Sequence, residues 1–292
     1  MRSRLRIRLT VVTLATVIAA AAWLVLSAAL LPEPPVPREI LFGAGITCLV
    51  LFAVIGGLAI VEARTLHRSE QRMRRFLADA SHELRTPVAG MLASAETLLR
   101  TDPDRMAREK LIVQVLREGH RAGRLIDDLL AMTRLEQGTP LDRRWFDLVP
   151  LTAAAVELTR ELAPAVSVEL HAPGHAELHG DPQRIRQILD NLLSNARHAT
   201  PADGRIMVRI TGHATEVAVE VTDTGPGVPP PDRERIFERF ARLDGGYPGG
   251  AEGNGLGLAI ARGIATAHSG TLACTGRADA GASFELRLPR PR

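Results

Sequence analysis

Two long stretches without a charged residue, 9–31 and 40–61, dominate the hydropathy pattern at the start of the chain. As helices, each would be long enough to cross a hydrocarbon layer of about 30 Å. Pro32, Pro34, Pro35 and Pro37 lie between them and would stop either helix from continuing. The pattern therefore predicts two transmembrane helices joined by a short extracytoplasmic loop, 32–39. The first run is longer than the apolar core of a cleaved signal peptide, about 7–15 residues, which disfavours that alternative. Orientation follows from the basic residues. Arg2, Arg4, Arg6 and Arg8 precede the first run, and Arg64, Arg68, Arg72, Arg74 and Arg75 follow the second, whereas the loop holds only Arg38 beside Glu33 and Glu39. The expectation is a multi-pass protein of the cytoplasmic (inner) membrane with residues 1–8 and the C-terminal part both in the cytoplasm. So short a loop buries too little apolar surface to fold around a ligand. A stimulus is then expected to act on the spans, on the surrounding lipid or through an accessory membrane protein.

From 62 to 136 apolar and charged residues alternate with a helical period, broken near 101–104, which predicts a linker helix, 62–75, and an antiparallel hairpin, 76–136. In the first arm Leu77, Leu84, Met91 and Leu98 recur every seven residues, with Val88 and Ala95 offset by four, and read as one apolar seam. Leu111, Val115, Ala122, Ile126 and Leu129 draw the same seam in the second arm. One hairpin cannot cover that seam alone, so a homodimer closing a four-helix bundle is expected. Gln137, Gly138, Thr139 and Pro140 then suggest a hinge, 137–143. Beyond it, in 144–292, the period becomes that of short strands at Val166–Leu170, Ile206–Ile210, Val217–Val221 and Phe284–Leu288, interleaved with helices: an α/β two-layer sandwich.

Composition changes this picture little. Aromatic residues are only 3% of the chain, which suits helix packing better than an aromatic-rich β-sandwich. The net charge of +3 lies largely in arginines beside the apolar runs and accompanies no base-reading motif, so nucleic acid is not an expected partner. Cys48 and Cys274 have neither disulfide nor metal spacing.

Candidate chemistry lies in five segments. Phe76–Pro87 reads F-L-A-D-A-S-H-E-L-R-T-P. His82 is five residues from Leu77, roughly 140° around the helix from the expected seam. It should face solvent, where a neutral imidazole is a competent nucleophile. Thr86 shares its face, and Glu83 must reach round to a ring nitrogen. Pro87 removes a backbone donor and should bend the helix. On a later helix Asn191 and Asn195 are one turn apart, and amide oxygens suit Mg²⁺. Val221–Pro229, V-T-D-T-G-P-G-V-P, places Asp223 before Gly225 and Gly227; a carboxylate at a buried edge could accept a hydrogen bond from the exocyclic amine of adenine. Gly253–Leu258, G-N-G-L-G-L, opens a helix, so Gly253, Gly255, Leu256 and Gly257 offer backbone N–H groups to phosphates. Between them come Ile236–Phe240, I-F-E-R-F, Arg242 and the glycine-rich 244–252, a candidate lid in which Arg239 or Arg242 could meet a γ-phosphate.

Taken in order, these segments resemble the H-box (H-E-x-x-T-P type), N-box, F-box and glycine motifs of two-component sensor histidine kinases with a GHKL-type (Bergerat-like) ATP-binding domain. The resemblance runs from Glu62 onward. It implies ATP and Mg²⁺ as cofactors, His82 as phosphoacceptor, Glu83 orienting the ring or taking its proton, and Thr86 positioning water for phosphatase activity. It further implies Asn195 as the Mg²⁺ ligand with Asn191 beside it, Asp223 as the adenine contact, and a response regulator as recipient of the phosphoryl group. His198 stands where many members carry Lys or Arg, a departure at a phosphate contact. The 62–75 linker is too short for the four-helix HAMP relay. Other ATPases of this nucleotide fold lack a histidine box on a hairpin and usually carry an acid where Asn191 stands. The alternative of another class is a membrane scaffold, phosphatase-dominant or with a degenerate kinase domain.

Overall fold

The structure is a computed structural model and describes residues 22, 23, 26, 38–242, 254–276 and 281–290. It divides into two compact units, Met1–Ala78 and Asp79–Arg292. Apart from Ala22, Trp23 and Leu26, the charge-free run 9–31 lies outside the described residues, as do 1–8 and 32–37. The second run, 40–61, falls within helix α1 (Arg38–Arg100). Its Ile46, Val50, Leu51 and Val54 side chains are exposed. Among the described residues no helix is long and apolar enough to cross a membrane.

In the second unit α1 continues through Pro87 to Arg100, and α2 (Arg105–Glu136) follows after a four-residue turn. Asp104 starts α2 by accepting a hydrogen bond from the Ala107 N–H at 2.7 Å, satisfying one of the orphan donors of its first turn. The arms meet where side chains are small: a Cβ at Gly90 would lie 3.3 Å from the Glu118 stem, and one at Gly119 3.7 Å from Met91 Sδ.

The single expected seam is in fact two. Ala80, Pro87, Ser94, Leu125, Ala131 and Met132 are buried, with Leu84, Met91, Leu98, Leu111, Val115, Ala122 and Leu129 half-buried beside them. Leu77, Val88 and Ile126, expected in that seam, are exposed. With Leu92, Leu99, Ile112, Leu116 and Leu130 they mark apolar positions that the single chain leaves uncovered. The physical reason is that a four-helix bundle needs each helix to face two neighbours. The heptad pattern therefore carries two adjacent stripes, of which one hairpin can cover one.

The α/β part begins with β1 (Arg144–Asp147), which pairs antiparallel with β3 (Glu177–Gly180) in a small two-stranded sheet. Asp147 ends β1 and caps α3 (Leu148–Leu162), accepting from Val149 N and Ala176 N, each at 3.0 Å. The main sheet has five strands in the order β2-β4-β5-β7-β6. These are β2 (Ser167–His171), β4 (Arg205–Gly212), β5 (Glu216–Asp223), β6 (Thr271–Cys274) and β7 (Ser283–Pro289). Only β2 and β4 run parallel. Alternation turns Ile206, Val208, Val219, Val221, Phe284 and Leu286 into the core. The opposite face carries charge pairs such as Arg209–Glu220 and Arg287–Glu216. Helices α3, α4 (Pro182–Ala199) and α5 (Gly257–Ala267) cover the apolar face. In α4, Ile185, Ile188, Leu189, Leu192 and Leu193 fill that core, each contributing about 1.5–3 kcal/mol of burial. Two 3-10 turns, Pro230–Asp232 and Arg235–Phe237, connect β5 to the segment ahead of α5.

Candidate functional site

His82 lies on α1 between buried Ala80 and Pro87, so helical geometry turns it outward. Its ring is exposed and makes no side-chain hydrogen bond among the described residues; Thr86, one turn on, is exposed and Glu83 is half-buried. The helix is not ended by Pro87, whose ring is buried in the hairpin.

Helix α4 presents the two asparagines with unequal surroundings. Asn191 Nδ2 donates to the Gly257 carbonyl at 2.9 Å, tying α4 to the start of α5. Asn195, half-buried one turn later, makes no side-chain hydrogen bond among the described residues and keeps its amide oxygen available to a hard cation. His198 folds onto its own helix. Nδ1 lies 2.5 Å from the Ser194 carbonyl and Nε2 3.2 Å from Arg197 Nη2, so the ring donates to the backbone and accepts from arginine.

Asp223 ends β5 with 1% of its surface exposed. Oδ1 accepts from Gly225 N at 2.8 Å and Ala282 N at 3.2 Å. Oδ2 is buried and has no partner among the described residues, which is costly unless a donor arrives. Burial pushes this carboxyl above its usual range, against the pull of the two backbone donors. The surrounding turn is built from glycines because nothing larger fits. A Cβ at Gly225 would lie 2.6 Å from the Ala199 carbonyl oxygen, and one at Gly281 (φ 89°) 1.8 Å from the Asp223 carbonyl oxygen. Gly227 also has positive φ, 77°. An orphaned carboxylate oxygen on a floor without side chains suits a flat ring bearing an amino group, so the residues present fit adenine.

At the other motif, Gly253 and the candidate lid 244–252 lie outside the described residues. Gly255 has φ 68°, and a Cβ there would meet the Phe240 backbone at 2.7 Å. Phe240 N donates to the Gly255 carbonyl at 2.9 Å, so the strands of chain on either side of that segment are stitched together. Leu256 is fully buried and precedes α5 without a side-chain cap; its own N–H donates to Asn254 Oδ1 at 3.1 Å, and the N–H groups that follow it are left for a ligand. A Cβ at Gly257 would lie 3.5 Å from the Asn191 amide, so the phosphate and metal candidates stand side by side. Of the two arginines, Arg239 reaches Glu136 of α2 at 2.5 Å, and Arg242 is exposed beyond Phe240.

Several contacts were invisible in the sequence reading. Asn254 Nδ2 donates to Asp128 Oδ2 of α2 at 2.6 Å. Gly263 of α5 admits Leu135, whose Cδ1 would lie 3.0 Å from a Cβ there. Arg143 donates to the Ala267 carbonyl at 2.9 Å. His268, buried, accepts from Asp181 N through Nε2 at 3.0 Å and donates from Nδ1 to Ile264 O at 2.9 Å. Apart from Asn254, which belongs to the glycine motif, and the local His268–Ile264 bond, these contacts join residues outside the motifs and far apart in the chain.

Comparison with known proteins bears on this geometry. The family model for the His Kinase A (phospho-acceptor) domain matches residues 72–138. The one for the histidine kinase-, DNA gyrase B-, and HSP90-like ATPase matches 180–292. Sensor histidine kinase RppB of Synechocystis sp. is 36% identical over 238 residues, 80% of this chain and 52% of the relative. Sensor histidine kinase TrcS of Mycobacterium tuberculosis is 35% identical over 240 residues, 78% of this chain and 46% of the relative. The chain thus spans about half the length of the curated relatives it matches. Among solved structures, ShkA in complex with AMPPNP aligns with TM-score 0.56 and 30% identity over 74% of this chain and 45% of its own. Histidine kinase ThkA in complex with the response regulator protein TrrA aligns with TM-score 0.62 and 23% identity over 80% and 66%, a likeness of fold. These matches define a class in which a phosphoacceptor helical hairpin is joined to an ATPase domain of the GHKL type. Within that class, the chain belongs to the two-component sensor histidine kinases.

Proposed function

We propose that this chain is a homodimeric, membrane-anchored protein-histidine kinase that phosphorylates its own His82 from ATP and passes the phosphoryl group to an aspartate of a response regulator. The observation that carries the reading is the buried, unpartnered Oδ2 of Asp223 on its glycine floor, an adenine-selective feature in the same chain as an exposed histidine. Asp223 would take the exocyclic amine, the α5 start with Gly255, Leu256 and Gly257 would take phosphates, and Asn195 would hold Mg²⁺ with Asn191 beside it. Bound there, Mg²⁺ would neutralise charge on the phosphates. A neutral ring nitrogen of His82 attacks the γ-phosphorus, the bond to the β-phosphate oxygen breaks with its electron pair leaving on ADP, and the remaining ring proton passes to Glu83. Thr86 would position water for the reverse traffic, dephosphorylation of the regulator.

The exposed apolar residues of the hairpin, Val88, Leu92, Ile112, Leu116 and Leu130, support a dimer in which a second copy covers them. The charge-free runs 9–31 and 40–61 and their flanking arginines support anchoring in the cytoplasmic membrane with both ends inside. Incubating the full chain in membranes with radiolabelled ATP and Mg²⁺ tests the activity. Acid-labile, alkali-stable label that disappears in His82→Gln is the expected outcome. Nucleotide binding without any label would instead favour the scaffold alternative.

A further inference from the structure

The Asn254 side chain makes two hydrogen bonds with one planar amide. Nδ2 donates to Asp128 Oδ2 of α2 at 2.6 Å, and Oδ1 accepts from Leu256 N at 3.1 Å. Because the carboxamide is rigid, holding one end on Asp128 holds the other on Leu256. Leu256 stands at the cap position of α5, so the donor it loses belongs to the set of N–H groups that a phosphate would use. The Asp128 carboxylate adds a negative charge beside the positive end of the same helix. Both effects oppose a bound triphosphate. Burial pushes the Asp128 carboxyl up, and the Asn254 hydrogen bond is the first influence drawing it back, so the two side chains depend on each other. In this same arrangement the His82 ring makes no hydrogen bond among the described residues.

We propose that Asp128 is a positioning residue for the phosphate loop, acting through Asn254: while the pair is joined, the loop keeps Leu256 N–H turned to Asn254, and seating a triphosphate opposes docking of the ATPase domain on α2. The inference rests on the kinase reading above and adds a residue of the helical hairpin to the nucleotide site. By linkage the effect is reciprocal, so nucleotide loosens the domain from α2 by the factor with which docking weakens nucleotide.

The test is calorimetric titration of the purified full chain in detergent with the non-hydrolysable analogue AMPPNP and Mg²⁺. Asp128→Ala is expected to bind about tenfold tighter than wild type, as loss of a competing charge-assisted hydrogen bond implies. Asp128→Asn keeps shape and an acceptor but removes the charge, and should fall between. In an Asn254→Ala background, Asp128→Ala should tighten binding by less than it does in wild type, because the route through the amide is already cut and only the direct effect of the charge is left. The KM for ATP in His82 labelling should fall with the dissociation constant while kcat changes less, a split that a merely structural role would not produce. Unchanged or weaker binding in Asp128→Ala, or effects of the two substitutions that simply add, overturn the inference while wild-type labelling of His82 leaves the kinase reading standing. Wild-type protein that binds no AMPPNP overturns both.

Discussion

In the α/β domain Ile185, Ile188, Leu189, Leu192, Ile206, Ile260, Ile264 and Leu286 are all without exposed surface, whereas the described hairpin buries few large side chains, Leu125 and Met132 among them, and leaves Val88, Leu92, Leu99, Ile112, Leu116 and Leu130 open. The first region completes its own core and can hold an uncompensated carboxylate oxygen at Asp223 against it. The second needs another copy to finish its packing, and in exchange it presents a histidine on a surface free to change partners. The difference teaches where rigidity is located: on the proposed reading, the site that would recognise adenine is preorganised, and the site that would meet several partners is not.

The largest test of that contrast is Leu192→Ala. The side chain is fully buried in α4, so truncation should destabilise the α/β domain by about 2–5 kcal/mol, read as a lowered denaturant midpoint. The equivalent change at exposed Leu116 should leave that midpoint within about 0.5 kcal/mol. An equal loss at both positions would break the comparison.

Next in size is Asp223→Asn. Either orientation of the new amide sets an NH₂ group against a donor: the two backbone N–H groups on one side or the adenine amine on the other. ATP analogue affinity should fall by about 2–3 kcal/mol, roughly thirtyfold to more than a hundredfold, in equilibrium titration. The fold should survive, because burial already favours the neutral form of this side chain. Unaltered affinity would remove adenine from Asp223.

The substitution Leu116→Ala, silent in folding of the α/β domain, should weaken the dimer by about 1–2 kcal/mol, measured by sedimentation equilibrium of the solubilised chain. A dimer constant equal to wild type would mean that the outward stripe is covered by something other than a second copy.

The same contrast explains what could be read from the chain alone. The four strands anticipated at Val166–Leu170, Ile206–Ile210, Val217–Val221 and Phe284–Leu288 all occur, each shifted or extended by only one or two residues, because alternation over a half-buried sheet is a strong local signal. The four-residue strands β1, β3 and β6 went unread, since at that length alternation cannot be told from loop. The hairpin was legible as helices, with Arg100 and Arg105 bounding the turn, yet its faces were merged into one seam. Period alone does not say which of two adjacent stripes the chain covers itself. At the site, motif residues were legible because glycines and amides have few other uses in such spacing. Asp128, Glu136 and His268 were not, because their roles depend on tertiary approach of segments about 90–130 residues away in the chain.

The smallest effect expected concerns pH and is confined to the preorganised region. His268 sits in the α/β core with Nδ1 donating to the Ile264 carbonyl and Nε2 accepting from Asp181 N, so only the neutral ring satisfies both bonds. Burial, first, and the Arg143 charge hold its pKa below the ordinary 6.5, against the Ile264 carbonyl and Asp181. Above pH 6.5 the ring is neutral in folded and unfolded chains alike and its contribution is fully present. As pH falls below 6.5 the unfolded chain takes up a proton that the folded chain resists, so stability declines until the folded pKa is passed. Asp223 works with the opposite sign at low pH, since its raised carboxyl favours proton uptake in the folded state. The two are separated by subtraction: denaturant midpoints of wild type and His268→Gln, measured from pH 8 down to pH 5, should converge as pH falls, because glutamine has no proton to gain. Parallel curves would mean that His268 titrates equally in both states and that its buried hydrogen bonds do not depend on its charge.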